Sequence, residues 1–386
     1  MNKILKTLFS ILLIFFLTYT NVNSEDKKIK IGILVPLSGD NKDIGESIIK
    51  AIRMAIQDIG TNNLEIYPKD SKSNPTQTLV SAKEFQEMNI NIVIGPVFQK
   101  NLVYLDEIEN INFLSLTNKT LDLPNNVIST GINATSQINT IKKFLEINEI
   151  NKTIFLTPQR DYENEIKKAI KESKIKIDKH HIYDSDPTKL TKQIEKITNY
   201  KVRKQNLADE IKRIENSDLS ESDIKRRVEK LKKRYTIGNL KFDSIIISDF
   251  DESLKSVITS LLYTDVLPTK KFIITFNQWF DKSFLKEKTL QPLYYPSVNL
   301  KNLEIFETKF KKKFKEKPNH LALLSYDLVG LIYFLSINND ISEIEKLFKK
   351  KNSFKGKIGV FDIQDNKINH RLNFYQVNDN KIKKIF

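Results

Sequence analysis

The stretch from Lys30 to Asp58 constrains the fold most, because it combines a buried strand with an amphipathic helix. Apolar residues run almost without interruption from Ile31 to Leu37, which is typical of a strand in a parallel sheet covered by helices on both faces. Polar residues Ser38–Asp40 follow, and from Gly45 onward the apolar residues recur at helical spacing. This order of strand, polar loop and helix indicates an α/β fold with ligands expected at the carboxyl ends of the strands.

The same pattern recurs along the chain in two series. In the first, strands are predicted over Leu64–Tyr67, Ile90–Ile94 and Phe113–Leu116, and a second series begins at Thr153. We therefore predict two lobes, each a mostly parallel sheet flanked by helices. The expected division is residues 25–131 with 303–351 for the amino-terminal lobe, and 132–302 with 352–386 for the carboxyl-terminal lobe. The last of these segments contains a predicted terminal hairpin of Ile358–Ile363 and Leu372–Val377.

Residues 200–235 interrupt the second series and contain neither glycine nor proline. Apolar residues recur at i, i+4 and i+7 from Leu207 and again from Ile224, and Ser220 and Asp223 have the spacing of a capping box. The segment is predicted to be a helical hairpin inserted in the carboxyl-terminal lobe. Two interpretations remain open, namely a solvated hairpin whose apolar stripes pack on each other and a docking arm for another envelope protein.

Residues 1–24 have the pattern of a secretory signal peptide. Lys3 and Lys6 precede an apolar run, Leu8–Leu17, that is too short to cross a bilayer comfortably. Cleavage is expected before Glu25, which gives a periplasmic protein with no stable membrane span, and the alternative is an uncleaved anchor. The chain has no cysteine, so disulfides, thiolate metal sites and a lipid-modified cysteine are excluded.

The formal net charge is +15, and lysine supplies much of it. Basic charge can favour nucleic acid or anionic surfaces, but an exported protein is not expected to meet nucleic acid. Two interpretations of the charge remain open: solvated lysine faces, or a binding patch for anionic envelope material.

No catalytic pattern stands out. The chain has four histidines, and it lacks the GxSxG, HExxH and P-loop spacings. Asp249 and Asp251 could form an acid pair, although two carboxylates at this spacing more often open a helix. We therefore expect no enzymatic activity, no cofactor and no metal.

The polar loops at the strand ends are the candidate site. Because the strand ends of the two lobes are expected to face each other, these loops would line a cleft that closes by a hinge motion and binds a small molecule without covalent chemistry. The candidate ligand-binding residues are Ser38, Asp70, Phe98, Thr117 and Asn118 in the first lobe and Tyr162, Asp249, Asn277 and Trp279 in the second.

The chain resembles the type I periplasmic binding proteins, the Leu/Ile/Val-binding family, over nearly all of Lys28–Phe386. The sequences VPLSG, GES and PKDSKSNP carry this resemblance through their order and spacing. In amino-acid-binding members the loop after the third strand carries small hydroxyl residues for the ligand carboxylate, and Gly95–Phe98 lacks them. Thr117–Lys119 is a partial match to the next loop. Tyr162 matches the aromatic residue of the second lobe, although Glu163 replaces the following glycine.

One branch of the family, the penicillin-binding-protein activators, is more similar still. The shared features are GPVF after the third strand, a basic helical insertion before an FD-led strand, Trp279–Asp281, the SYD helix and FKGKIGVFDI. The lipid-anchor cysteine and helical-repeat domain of that branch are missing. The resemblance implies a non-catalytic regulator of penicillin-binding proteins in peptidoglycan synthesis, with a peptidoglycan synthase as partner. The alternative is the solute-binding subunit of an ABC transporter, with a permease as partner and an amino acid or similar small polar ligand.

Overall fold

A computed structural model describes residues 28–276, 287–338, 344–349, 351–364 and 366–386. The predicted signal peptide, residues 1–24, lies outside the described residues. Two of the candidate site residues, Asn277 and Trp279, also lie outside them.

Fifteen described strands form two sheets. The first sheet has the order β11-β12-β13-β5-β4-β3-β1-β2, and the second has the order β15-β14-β10-β9-β8-β6-β7. Their bounds are β1 Ile29–Val35, β2 Leu64–Asp70, β3 Ile92–Ile94, β4 Asn112–Ser115, β5 Val127–Ser129, β6 Thr153–Pro158, β7 Lys179–Tyr183, β8 Ser244–Ile247, β9 Phe272–Thr275, β10 Leu293–Ser297, β11 Asn352–Lys355, β12 Val360–Gln364, β13 Lys367–Arg371, β14 Asn373–Asn378 and β15 Lys381–Lys384.

Strands β1 to β5 pair in parallel, and so do β6 to β10, whereas the carboxyl-terminal strands add antiparallel pairs at one edge of each sheet. Strands β3, β4 and β8 are buried along their whole length, and β1 is buried except at Lys30, which accounts for their largely apolar sequences. The predicted α/β fold of two mostly parallel sheets flanked by helices is therefore confirmed.

Helices cover the faces of both sheets. Their bounds are α1 Lys42–Ile59, α2 Pro75–Glu87, α3 Ala134–Ile147, α4 Glu163–Ser173, α5 Pro187–Ile197, α6 Tyr200–Glu215, α7 Glu221–Lys232, α8 Asp251–Tyr263, α9 Leu300–Phe314, α10 His320–Asn338 and α11 Ile344–Lys349. Helices α1, α9 and α10 share a hydrophobic core with the first sheet, and α5 and α8 share one with the second. Each lobe therefore has its own core.

Among the described residues, α10 is the one helix long and apolar enough to cross a membrane, and more than half of that apolar window is buried within the protein. Its buried residues belong to the core of the first lobe, where Tyr326 donates a hydrogen bond of 2.6 Å to Asp58 of α1. This packing is that of a core helix, as the apolar sequence from His320 to Leu335 predicts.

The helical hairpin is present as predicted, with α6 and α7 joined by a short turn. Ser220 caps α7 by accepting a hydrogen bond from the Asp223 N–H. Leu207, Ile214 and Val228 are buried, so the apolar stripes do pack inward. The basic side chains of α7 remain exposed.

The chain crosses between the lobes three times. The crossings are residues 130–133 between β5 and α3, residues 298–299 between β10 and α9, and residue 372 between β13 and β14. The first crossing is bonded to β13, the strand that precedes the third crossing. The ring Nε2 of His370 lies 2.9 Å from the carbonyl oxygen of Thr130, and the Asn133 side chain donates to the Ile368 carbonyl.

The position of the third crossing corrects the expected division at the carboxyl terminus. Residues 352–386 were expected to form part of the carboxyl-terminal lobe, but β11, β12 and β13 pair within the first sheet, and β14 and β15 alone join the second. The predicted hairpin of Ile358–Ile363 with Leu372–Val377 is wrong, because β12 pairs with Lys367–Arg371 and β14 pairs with β10 and β15.

Candidate interlobe binding site

The loop after β1 is held by the carboxylate at the end of β2. Asp70 accepts hydrogen bonds from the Leu37 N–H at 2.8 Å, the Ser38 hydroxyl at 2.6 Å and the Lys72 N–H at 2.8 Å. Burial acts to raise the pKa of Asp70, but these three donors outweigh it and the pKa is lowered. Ser38 and Asp70 are thus brought together, and most of the acceptor capacity of Asp70 is already used within the protein.

The loop after β3 presents one candidate residue, Phe98. Its ring is half-buried and packs against the core of the first lobe, and the Lys100 ammonium group lies 6.0 Å from the ring centre. The neighbouring Pro96 carbonyl accepts the hydroxyl of Ser115 at 2.8 Å. Phe98 therefore supports this loop from the core side.

The loop after β4 is fixed at its start by the first crossing. The Thr117 carbonyl accepts hydrogen bonds from the Gly131 N–H at 2.9 Å and the Ser129 hydroxyl at 3.0 Å. A Cβ on Gly131 would lie 2.5 Å from that carbonyl oxygen, so only glycine allows this approach. The Thr117 side chain is buried and accepts the Lys119 N–H at 3.2 Å, whereas Asn118 is exposed.

The second lobe contributes a cluster around Asp249, which is buried at the end of β8. Its carboxylate accepts the Tyr183 and Ser253 hydroxyls, each at 2.6 Å. Tyr162, at the start of α4, donates to the Ser248 carbonyl at 3.2 Å. Burial, with the nearby negative charge of Asp249, raises the pKa of both Tyr162 and Tyr183, so both phenols remain protonated.

The two lobes meet where the loop after β4 contacts α4. The Lys119 ammonium group lies 5.6 Å from the centre of the Tyr162 ring, within the range of a cation–π interaction. The structure therefore brings the Thr117–Asn118 loop and Tyr162 together from opposite lobes.

Next to this contact, four residues form what we call the interlobe clasp: Thr120 and Leu121 of the first lobe, and Glu165 and Lys168 of the second. The Glu165 carboxylate accepts the Thr120 N–H at 2.7 Å, the Thr120 hydroxyl at 2.8 Å and the Leu121 N–H at 2.7 Å. Lys168 donates to the Thr120 carbonyl at 2.9 Å, and burial lowers its pKa. The clasp fastens the lobes through direct contacts between protein groups.

Glu165 is not among the candidate site residues predicted from the sequence, although its position on the apolar face of a helix indicates that it needs a polar partner. It is four residues before Ala169 and next to Ile166, both buried, and is itself only 8% exposed. A carboxylate on the apolar face of a helix requires a polar partner. The sequence does not show that this partner is a loop of the other lobe.

Asp70, Thr117 and Asp249 are paired with other groups of the protein, whereas Asn118 is exposed. The described residues contain no group of three or more His, Asp or Glu side chains placed to hold a metal ion. Asp251 opens α8, as two carboxylates at this spacing predict.

Comparisons with known proteins agree with this architecture. The family model described as "Periplasmic binding protein" matches residues 28–202. No curated protein sequence matches the chain.

Many solved structures are similar across almost the whole chain, and three of them are described here. The isoleucine complex of LivJ, a branched-chain amino acid transporter substrate-binding protein from Streptococcus pneumoniae, is 18% identical with a TM-score of 0.53, covering 92% of this chain and 98% of that one. The C-domain of LpoA from Haemophilus influenzae, described as a regulator of PBP1A, is 14% identical with a TM-score of 0.59, covering 92% and 100%. A putative branched-chain amino acid ABC transporter from Rhodospirillum rubrum is 12% identical with a TM-score of 0.65, covering 93% and 100%.

The two sheets, three crossings and strand-end cleft define the class as a two-lobed binding-protein fold. The family match over residues 28–202 and the similar solved structures agree with this fold, which is the one that the resemblance to the type I periplasmic binding proteins implies. Proteins of this fold include both amino acid carriers and a regulator of a penicillin-binding protein, so the fold does not by itself choose between these functions.

Proposed function

We propose that this protein is a non-catalytic, periplasmic regulator of penicillin-binding proteins, and that it binds a peptidoglycan synthase through its surface. The observation that carries this proposal is the pairing of the cleft groups with one another. Asp70, Thr117, Asp249 and Glu165 all bind donors of the protein itself. A ligand would have to displace these bonds, and each buried group left unpaired would cost about 1–3 kcal/mol.

The helical hairpin supports the same proposal from outside the cleft. On α7, the side chains of Lys225, Arg227 and Lys230 are exposed and have no acidic partner within the described chain. Likeness to the LpoA C-domain, itself a regulator of PBP1A, suggests what kind of partner such a surface would meet. We therefore place the synthase-binding surface on the hairpin.

The test is a pull-down of a purified bifunctional peptidoglycan synthase by the mature protein. Charge reversal by Lys225→Glu with Arg227→Glu should reduce capture by at least tenfold, whereas Lys311→Glu with Lys312→Glu on α9 makes the same change in net charge and should leave capture intact. Circular dichroism checks that both variants remain folded. Capture that is equal for wild type and both variants would exclude the hairpin, and absence of capture by wild type would exclude the proposal.

One observation favours a second candidate, the solute-binding subunit of an ABC transporter. Tyr162 stands where amino-acid-binding relatives carry an aromatic residue, and Lys119 of the facing loop contacts it. Under this alternative, the clasp would be the closed state of a carrier, and a permease would be the partner. A thermal shift with an amino acid would support it, because a ligand at 100 times its Kd adds about 2.7 kcal/mol of stability.

A further inference from the structure

A basic cavity lies in the carboxyl-terminal lobe on the side away from the cleft. Its volume is about 840 Å³. Six cationic residues line it, which we call the basic groove: Lys152, Arg203, Lys233, Arg234, Lys270 and Lys271. Asp243 and Asp265 are the acidic residues of the lining, so cations outnumber carboxylates three to one.

The topology of the second sheet sets the position of this groove. Lys152 directly precedes β6, Asp243 directly precedes β8 and Lys271 directly precedes β9. These three strands are parallel, so their amino ends share one edge of the sheet, opposite the carboxyl ends that face the cleft. The Lys152 carbonyl accepts the Asp243 N–H at 2.7 Å, which holds the strand starts together. The groove is therefore separate from the interlobe site.

The pairing of its charges leaves the groove with unmatched cations. Lys271 pairs with Asp243 at 3.2 Å, and Arg203 lies 3.6 Å from Asp265. The other four, Lys152, Lys233, Arg234 and Lys270, have no acidic partner within the described parts of the chain and are exposed. Four neighbouring like charges without counterions raise the local positive potential and attract anions.

The Arg203 side chain is held in place by hydrogen bonds and forms one wall of the groove. It is only 5% exposed, and its guanidinium group donates to the Thr236 hydroxyl at 2.6 Å and the Thr264 carbonyl at 3.1 Å. Its Nε is buried and has no hydrogen-bond partner in the described structure. The Ile237 N–H donates to the Arg203 carbonyl at 3.0 Å, so the loop that carries Lys233 and Arg234 is tied to this wall. A buried arginine held in this way keeps its charge beside the groove at all ordinary pH values.

We propose that the basic groove binds a ligand that carries two or more phosphate groups. Arginine and lysine side chains bind phosphate oxygens through charge-assisted hydrogen bonds, and four unpaired cations match the charge of a diphosphate better than that of a single carboxylate. The volume is within the range of sites for ligands of a few hundred daltons. The proposed ligand is either a soluble diphosphate compound or the headgroup of a phosphorylated lipid.

Calorimetry with sodium pyrophosphate, at low ionic strength and then at about 0.15 M salt, tests the proposal. Wild type should bind pyrophosphate, and salt should weaken the binding. Lys233→Glu with Arg234→Glu should raise the Kd by at least about tenfold for each reversed cation. The control, Lys311→Glu with Lys312→Glu, has the same net charge and should bind as wild type does.

Flotation with vesicles that contain cardiolipin, a lipid with two phosphate groups, against vesicles of phosphatidylcholine alone, separates the two sources of phosphate. Binding of pyrophosphate but not of vesicles assigns the groove to a soluble ligand, and binding of vesicles that Lys233→Glu with Arg234→Glu abolishes assigns it to a lipid. Absence of binding in both assays overturns the proposal. Equal loss in the groove variant and the control also overturns it, because net charge alone would then explain the binding.

Discussion

Removal of the Glu165 carboxylate should open the two lobes. In the structure it accepts three hydrogen bonds of 2.7–2.8 Å from Thr120 and Leu121 of the other lobe. In the variant Glu165→Ala, those donors can recover partners only if water reaches them, and water reaches them when the lobes separate. The substitution therefore favours the open state over the closed state.

The size of the effect follows from the strength of such bonds. A hydrogen bond to a charged group contributes about 1.5–3 kcal/mol net. Three bonds to one carboxylate are not additive, so we take about 3 kcal/mol for the group as a whole. This corresponds to roughly a 100-fold shift of the closed–open equilibrium toward the open state.

Paired spin labels provide the assay, since a chain without cysteine needs no background substitutions. Lys83→Cys and Lys171→Cys place one label on an exposed position of each lobe, and pulsed dipolar spectroscopy gives the distance between them. Glu165→Ala should add a population at longer distance and raise the radius of gyration in X-ray scattering. Hydrogen exchange over residues 117–121 should accelerate by up to about 100-fold.

The matched control is Glu163→Ala, in the same turn of α4. Glu163 pairs with Lys167 of its own helix, so its removal should cost about 0.3–0.5 kcal/mol and leave the distance unchanged. If Glu165→Ala keeps the wild-type distance distribution and exchange rates, or if Glu163→Ala opens the lobes equally, the clasp does not hold them together.

Two other predictions concern stability. Gly356→Ala should lower the free energy of unfolding by roughly 1–3 kcal/mol, because its Cβ would lie 2.2 Å from Oδ2 of Asp327, whereas Gly330→Ala in α10 has room and should raise it by about 0.5–1 kcal/mol. Chemical denaturation measures both, and equal effects would contradict the reasoning. Burial lowers the pKa of His370 from 6.5 to about 4, so the neutral ring's contribution is present above pH 6.5 and is lost as the pH falls toward 4. The stability difference between wild type and His370→Gln should accordingly shift by about 3 kcal/mol against wild type between pH 7 and pH 4, and a constant difference would refute it.

The sequence predicts the parallel strands well because their signal is local. The continuous apolar runs of β1, β3 and β8 follow from burial on both faces, and the stripe of α1 follows from packing on one face. The helical hairpin is equally predictable from the sequence, because its two apolar stripes and its helix-capping residue lie within one segment.

The prediction for the carboxyl-terminal strands is wrong because the sequence of β13 lacks the apolar run that is typical of a buried strand. Its sequence, KINHR, is mostly polar, yet Ile368 and His370 are buried between β12 and β5. The predicted hairpin takes the β14 region as the partner of β12, whereas the actual partner is β13, one strand earlier in the chain. Strands β13 and β5 pair although more than two hundred residues separate them, and such distant pairing leaves no local sequence pattern from which it could be predicted.

The candidate site was predictable in part for a similar reason. Strand ends locate the loops, so Ser38 with Asp70 and Thr117 with Tyr162 could be expected to lie near one another. The sequence does not show which polar groups the fold pairs internally, and Glu165 illustrates this, because its partners come from a loop more than forty residues earlier.

The threading of β11, β12 and β13 into the first sheet has a consequence for how the protein is made. These strands come from residues 352–371, near the end of the chain, yet β13 pairs with β5. A nascent chain emerging from a ribosome cannot finish the sheet of its first lobe until residue 371 has emerged. The first lobe therefore stays incompletely folded until then, however early its first strands emerge.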